Sequence, residues 1–179
     1  MKLKLLKRNR LFEGRVFDVI VDDVEYPSGN RSIREVAEHV GGGVAVPVFP
    51  GREVLLVYQH RYPFDKFIWE LPAGKLNPGE DPLHCAKREL GEETGYAADE
   101  WKHLSSIYTT PGFCSEVLHI YLATGLRELP GGRRLEEGEL TMTMKRFPLE
   151  EVIAMIERNE IVDAKTIAGI FLAERMLKK

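Results

Sequence analysis

Residues 74–96 read "GKLNPGEDPLHCAKRELGEETGY", and the fold turns on how this stretch is read. Asp81 is a helix N-cap followed by Pro82 at the first helical position, and Gly95 lies where a helix would end in a left-handed residue. The helix predicted between them carries an apolar stripe of Leu83, Ala86 and Leu90. Glu89, Glu92 and Glu93 fall at i, i+3 and i+4 beside that stripe, so three carboxylates share one face of the final turns. They repel one another, and the negative end of the helix dipole disfavours each by about 0.3–1 kcal/mol at an exposed position. Two readings answer this. One is a solvated acidic face partly neutralised by Lys87 and Arg88. The other is a site for a hard divalent cation such as Mg2+ or Mn2+, which keeps waters and binds phosphate oxygens.

Outward from the helix, strand patterns dominate. "GRVFDVIVDDVEY" (14–26) and "RSIREVAEHV" (31–40) flank the turn signal "PSGN" and predict an antiparallel hairpin. "GGGVAVPVF" (41–49) and "EVLLVYQHRY" (53–62) are rich in β-branched and aromatic residues, and "LPAGKLNPGED" (71–81) reads as a loop. Beyond Gly95, "LSSIYTT" (104–110), "EVLHIYLATG" (116–125) and "LTMTMKRF" (140–147) predict further strands, with the polar "LRELPGGRRLEEGE" (126–139) as a surface loop. Two helices close the chain, one starting at Pro148 and one capped by Asp163. Strands interleaved with a few helices give an α+β, mixed α/β sandwich. Residues 1–40 are expected to form an N-terminal β extension and 41–179 the main domain.

Composition excludes several function classes. The chain has 179 residues, 44% hydrophobic and 30% charged, which suits an ordinary globular protein with a real core. A net charge of −3 gives no global field to gather nucleic acid, so none is expected as a partner. Cys85 and Cys114 stand apart with no CxxC spacing, which argues against disulfides and structural zinc. The opening "MKLKLLKRNRLFEG" interrupts its leucines with lysines, so it reads as a solvated basic terminus rather than a signal sequence. No apolar run is long enough to span a bilayer, and a cytoplasmic location is expected, with no membrane partner. No Walker A loop, GxSxG or zinc-spaced histidines occur, and "GGG" at 41–43 precedes a strand rather than a helix.

The 74–96 stretch resembles the Nudix box: Gly74, five residues, Glu80, seven residues, then Arg88-Glu89-Leu90, one residue, Glu92-Glu93, one residue, Gly95 and an apolar position. Leaving Leu90 aside as an apolar position, seven fixed identities at fixed offsets recur by chance in roughly one chain of this length per million. The one departure is Tyr96, where the family prefers an aliphatic residue. The resemblance implies a Nudix fold, a mixed sheet packed between helices with an N-terminal antiparallel hairpin extension. It also implies hydrolysis of a nucleoside diphosphate linked to another moiety, with Mg2+ (or Mn2+) held by Glu89, Glu92, Glu93 and the backbone carbonyl of Ala73. Arg88 would orient a glutamate by charge-assisted hydrogen bonding. Gly74 would let the loop pass close to ligand, Gly95 would cap the helix, and Glu80 would tie the loop rather than touch metal.

Beyond the box, "REVAEHVGGGVAVPVF", "VYQHRYPFDKFIWELPAGKL" and "YTTPGFCSEVLHIYLA" look like the ADP-ribose pyrophosphatase and nucleotide-sugar branch, and the similarity spans most of 14–175. This implies a contact from Arg61 to the diphosphate, a pocket lined by Glu70 and Glu116, and a role for Pro111. Trp69, Tyr62 and Phe17 are candidates for stacking on a base. "TPGFCSE" departs from the branch, which has a serine before the proline and Ser-Asp before the glutamate. The branch takes its general base from the acidic loop, where Glu139, then Glu137, is favoured over Glu136 because the residue nearest the next strand is best anchored. The resemblance also implies a homodimer, with the extension completing the partner's pocket, against the alternative of a monomer with an extra sheet. The implied reaction is Mg2+-dependent cleavage of ADP-ribose to AMP and ribose 5-phosphate. The alternatives are hydrolysis of another nucleoside diphosphate sugar or derivative, or a module that senses ADP-ribose without turnover.

Overall fold

The computed structural model describes residues 2–178, so Met1 and Lys179, the outer bounds of the two expected segments, lie outside the described residues. The chain divides into two compact units. The first comprises the chain up to Gly41 together with Tyr108–Val117. In it β1 (Lys4–Phe12), β2 (Asp18–Glu25) and β3 (Arg31–Glu38) form a three-stranded antiparallel sheet in that order. Ile20, Asp22 and Val24 are the buried face of β2, at the period of two a half-buried strand requires. The 108–117 segment joins this unit through Ala37, whose N–H donates to the Phe113 carbonyl at 2.8 Å and whose carbonyl accepts from Ser115 N–H at 3.0 Å.

β1 corrects the reading of the opening as a solvated basic terminus. Its arginines have acidic partners on the neighbouring strands. Arg8 donates to Asp22 through Nε at 3.0 Å and Nη2 at 2.9 Å and to Glu38 at 3.2 Å, while Arg10 pairs with Asp18 and Glu38. The Arg8 hydrogen bonds hold the Asp22 carboxyl below its ordinary range. These pairs exist only once the register places the strands side by side, so the linear sequence shows a charge run and not a strand.

The second unit comprises Gly42–Ile107 and the chain from Leu118 onward. Its mixed sheet runs β10 (Thr143–Pro148), β5 (Glu53–Arg61), β4 (Gly42–Phe49), β9 (Val117–Glu128), β8 (Tyr96–Tyr108), with β6 (Lys66–Glu70) on β5 and β7 (Ala73–Lys75) on β4. β4 lies parallel to β9 and antiparallel to β5 and β7. It is buried along its whole length, as a strand covered on both faces must be. Val44, Val46 and Val48 face α2 (Leu149–Glu157) and α3 (Ala164–Leu177), in a core with Leu56, Leu71, Leu149 and Ile170. Ala45 and Phe49 face the other way, clustered with Leu90 of α1 (Pro82–Thr94), Leu55 and Tyr96. α1 sits so close that a Cβ on Gly43 would fall 2.6 Å from Ala86 N and the Pro82 carbonyl. The helix thus lies against the sheet's central strand, and its acidic end is fixed to the core.

This is an α+β fold, a mixed sheet between helices with a separate antiparallel N-terminal sheet. Three elements differ from expectation. The 71–81 loop contains β7, β6 precedes it, and β8 begins at Tyr96 rather than Leu104. β8 is an edge strand, and its polar residues remove the alternation that would mark a half-buried one. α2 begins at Leu149 with Pro148 as its N-cap. Among the described residues no helix is long and apolar enough to cross a membrane.

Candidate active site

The N-cap of α1 sets the register of everything that follows. Asp81 accepts hydrogen bonds from Leu83 N at 2.9 Å and His84 N at 3.2 Å, and Gly95 closes the helix at φ +75° with its N–H on the Gly91 carbonyl. Between them Arg88 gathers the acidic face. Its Nη1 donates to Glu89 Oε1 at 2.6 Å and Glu92 Oε2 at 3.0 Å, its Nε to Glu80 Oε1 at 2.9 Å, and its Nη2 to Glu80 Oε2 at 3.0 Å and the Lys75 carbonyl at 3.1 Å. Glu80 also accepts from Asn77 N at 2.9 Å, so it ties the loop to the helix. A Cβ on Gly74 would fall inside contact distance of the Glu89 carboxylate, which is why this strand position holds no side chain.

Glu93 is 2% exposed, and its Oε2 accepts from Ala73 N at 3.1 Å. Burial pushes its carboxyl well above the ordinary range, and the charges of Glu89 and Glu139 add to that. Burial likewise raises Glu89, with Arg88 opposing and Glu92 and Glu139 reinforcing. The acidic loop thus delivers Glu139 to the same field: it ends the short helical turn Glu137–Glu139, with its Oε2 accepting from Glu136 N at 3.0 Å. Glu137 is exposed on that turn.

Among the described residues no three Asp, Glu, His or Cys side chains already converge as a ligand set. Arg88 stands between Glu89 and Glu92, and Glu93 turns to Ala73 N. The donor chemistry still fits a hard cation: the candidate groups are the carboxylates of Glu89, Glu92 and Glu93 and the Ala73 carbonyl, all oxygen, and burial makes Glu89 and Glu93 resist ionising without added positive charge.

A second polar network lies in the same unit. Arg61 is bidentate to Glu70, Nε at 2.6 Å and Nη2 at 2.7 Å, and Glu70 is 1% exposed. Glu70 is therefore a buried ion-pair partner of Arg61 rather than an open pocket wall. Lys165, on α3, donates to Glu70 and to Asp163 Oδ2, at 3.0 Å for the latter. Burial alone would raise the Glu70 carboxyl, but the Arg61 hydrogen bonds and the Lys165 charge outweigh it and hold the group low. Trp69 packs at 4.6 Å from the Tyr58 ring and 4.9 Å from Phe147, so it belongs to the core, whereas Tyr62 is 89% exposed.

Pro111 and Glu116 lie in the first unit, on the segment held by Ala37, and Glu116 Oε1 is 3.4 Å from His39 Nδ1. Phe17 is exposed in that unit. Two residues escaped the sequence reading. Lys165 is recognisable only through tertiary pairing, since its link to Glu70 spans 95 positions. Arg133 donates to the Glu93 carbonyl at 2.6 Å, and the signal for it was a basic pair, Arg133-Arg134, inside an otherwise acidic loop.

Comparison with known proteins agrees with this geometry. Residues 39–169 match the NUDIX domain family. The chain is 40% identical over 167 residues to a Bacillus subtilis protein named ADP-ribose pyrophosphatase, covering 93% of this chain and 90% of that one. It is 39% identical over 167 residues to a Bacillus methanolicus protein named methanol dehydrogenase activator, with the same coverage. A crystal structure of an ADP compounds hydrolase superposes with a TM-score of 0.84 over 99% of this chain and 95% of that one, at 24% identity, which speaks to the fold. With the box glutamates on α1, the family match over most of the second unit and relatives this similar, the chain belongs to the NUDIX domain family.

Proposed function

We propose that this protein hydrolyses the pyrophosphate bond of ADP-ribose to AMP and ribose 5-phosphate, with Mg2+ (or Mn2+) as cofactor. The observation that carries the proposal is one face of α1 on which Arg88 bonds both Glu89 and Glu92, with Glu89 and Glu93 buried and pushed up. Nudix hydrolases use divalent metal ions, and Glu89, Glu92, Glu93 and the Ala73 carbonyl are the groups that would hold them here. Such ions neutralise the diphosphate and lower the pKa of a bound water.

The remaining work falls to side chains of this chain. Glu139 is the base that takes the proton from the attacking water, with Glu137 as second candidate, because the charge of Glu139 already reaches Glu89 and Glu93. Arg88 draws Glu89 and Glu92 together through one nitrogen and fixes the loop through Glu80. Arg61 meets the diphosphate, oriented by Glu70, which Lys165 anchors in turn. Glu116 and Pro111 are further substrate-binding residues, and the protein works as a cytoplasmic homodimer.

The test is a substrate panel with Mg2+: ADP-ribose, ADP-glucose, UDP-glucose, GDP-mannose, NADH and diadenosine polyphosphates. The expected result is AMP released fastest from ADP-ribose. Faster turnover of another nucleotide sugar would reassign the substrate, and binding of ADP-ribose without turnover would make the protein a sensor.

A further inference from the structure

The loop that carries Glu139 is rich in glycine and runs from the end of β9 at Glu128 to the start of β10 at Thr143. A segment of this kind has many conformations, and ordering it costs conformational entropy. Its first half is nevertheless attached to the last turn of α1 at three points. Leu129 N–H donates to the Gly95 carbonyl at 2.7 Å, Arg134 N–H to the Glu92 carbonyl at 2.8 Å, and Arg133 Nε to the Glu93 carbonyl at 2.6 Å. The loop backbone passes so close that a Cβ on Gly95 would lie 3.1 Å from Gly132 C and 3.2 Å from Arg133 N.

Carbonyls at a helix C-terminus lack partners within the helix and carry the negative end of its dipole. A guanidinium there satisfies both needs. Arg133 Nη2 is buried and, among the described residues, makes no hydrogen bond. An orphan donor of this sort is unfavourable, so the Nε contact must compensate for holding the side chain in place.

We infer that Arg133 is a positioning residue that pins the loop bearing the general base to the same helical turn that bears the metal-binding glutamates. Glu92 and Glu93 then serve in two directions. Their side chains belong to the cation site, while their carbonyls hold the strap that delivers Glu139. Base and cation ligands share one rigid reference, the final turn of α1. In this role Arg133 acts through the loop and not on substrate or metal directly. The inference rests on the assignment of Glu139 proposed above.

Kinetics and amide exchange on the full chain test it together. Arg133→Gln is expected to lower kcat by about 10- to 100-fold with KM changed less than about threefold, since a small misplacement of a catalytic group costs on that order. Arg133→Lys, which keeps a donor, should recover part of the loss. Placed on Glu139→Gln, Arg133→Gln should add less than about threefold, because both changes remove the same function. In parallel, the amides of Leu129 and Arg134 should exchange at least about tenfold faster in Arg133→Gln than in wild type, while those of α1 stay protected. Wild-type kcat in Arg133→Gln, losses that multiply fully on Glu139→Gln, or unchanged exchange would each overturn the inference. A wild-type rate for Glu139→Gln would overturn the base assignment and the positioning role with it. Absence of ADP-ribose turnover in wild-type protein would sink the proposed substrate alone, and the exchange of Leu129 and Arg134 would then decide whether Arg133 pins the loop.

Discussion

Glu93 concentrates the electrostatics of the site in one side chain. It is 2% exposed, it feels the charges of Glu89 and Glu139, and its Oε2 accepts a hydrogen bond from the neutral backbone N–H of Ala73. Its folded-state pKa is raised, so it favours the fold only while protonated. That contribution is full below the unfolded value of about 4.3 and is lost as pH rises through the folded value. Relative to wild type, metal-free Glu93→Gln is therefore expected to gain thermal stability as pH climbs above about 4.3. Calorimetric melts with a chelator check this, and parallel slopes for the two proteins would contradict it. Glu70 has the opposite sign: held low, it contributes above about pH 4.3 and that contribution is lost as pH falls. The site glutamates were legible in sequence because a helix converts offsets of three and four into one face. Lys165 and Arg133 were not, because their partners lie 95 and 40 positions away and no local pattern encodes that.

At the level of elements, α1 and β7 are one device. Asp81 starts the helix, Gly95 ends it, and Gly74 on β7 leaves room for the Glu89 carboxylate. Gly74→Ala is expected to push that carboxylate off its place beside Arg88, with a stability cost of about 1–3 kcal/mol and a loss of about 100-fold in kcat. Denaturant unfolding and steady-state kinetics measure the two, and an active, equally stable variant would remove the close approach from the account. α1 was readable end to end because its caps are chemical signals with a mechanism. β7 was not: three residues of strand inside "LPAGKLNPGED" owe their structure to β4 alongside, not to their own composition. β1 hid for a related reason, its lysines and arginines resembling a solvated run until Asp22 and Glu38 are brought opposite.

For the whole molecule, the sheet of the second unit has a helix on one face and a helix pair on the other, and the N-terminal sheet is a unit of its own. That sheet leaves Leu5, Leu11, Phe12 and Ile33 more than half exposed, an unusual amount of apolar surface for a free monomer. The proposed homodimer is expected to appear as a two-chain mass in sedimentation velocity, with Leu5→Asp plus Leu11→Asp shifting it to one chain. A wild-type monomer at micromolar concentration would contradict it. The order of strands along the chain was largely legible from turn signals and alternation. The grouping of Tyr108–Val117 with the first unit was not, since it is made by pairings between residues far apart in sequence, such as Ala37 with Cys114 and His39 with Ser115 and Glu116.

The proposed function stands or falls with the carboxylates at the end of α1 holding a divalent cation that grips a diphosphate. Calorimetric titration of Mn2+ into metal-free protein, with and without AMP, tests it most directly. Saturable uptake is expected, accompanied by proton release from the raised carboxyls and weakened at least about tenfold in Glu93→Gln. Absence of uptake under both conditions, or equal uptake by Glu93→Gln, would contradict it.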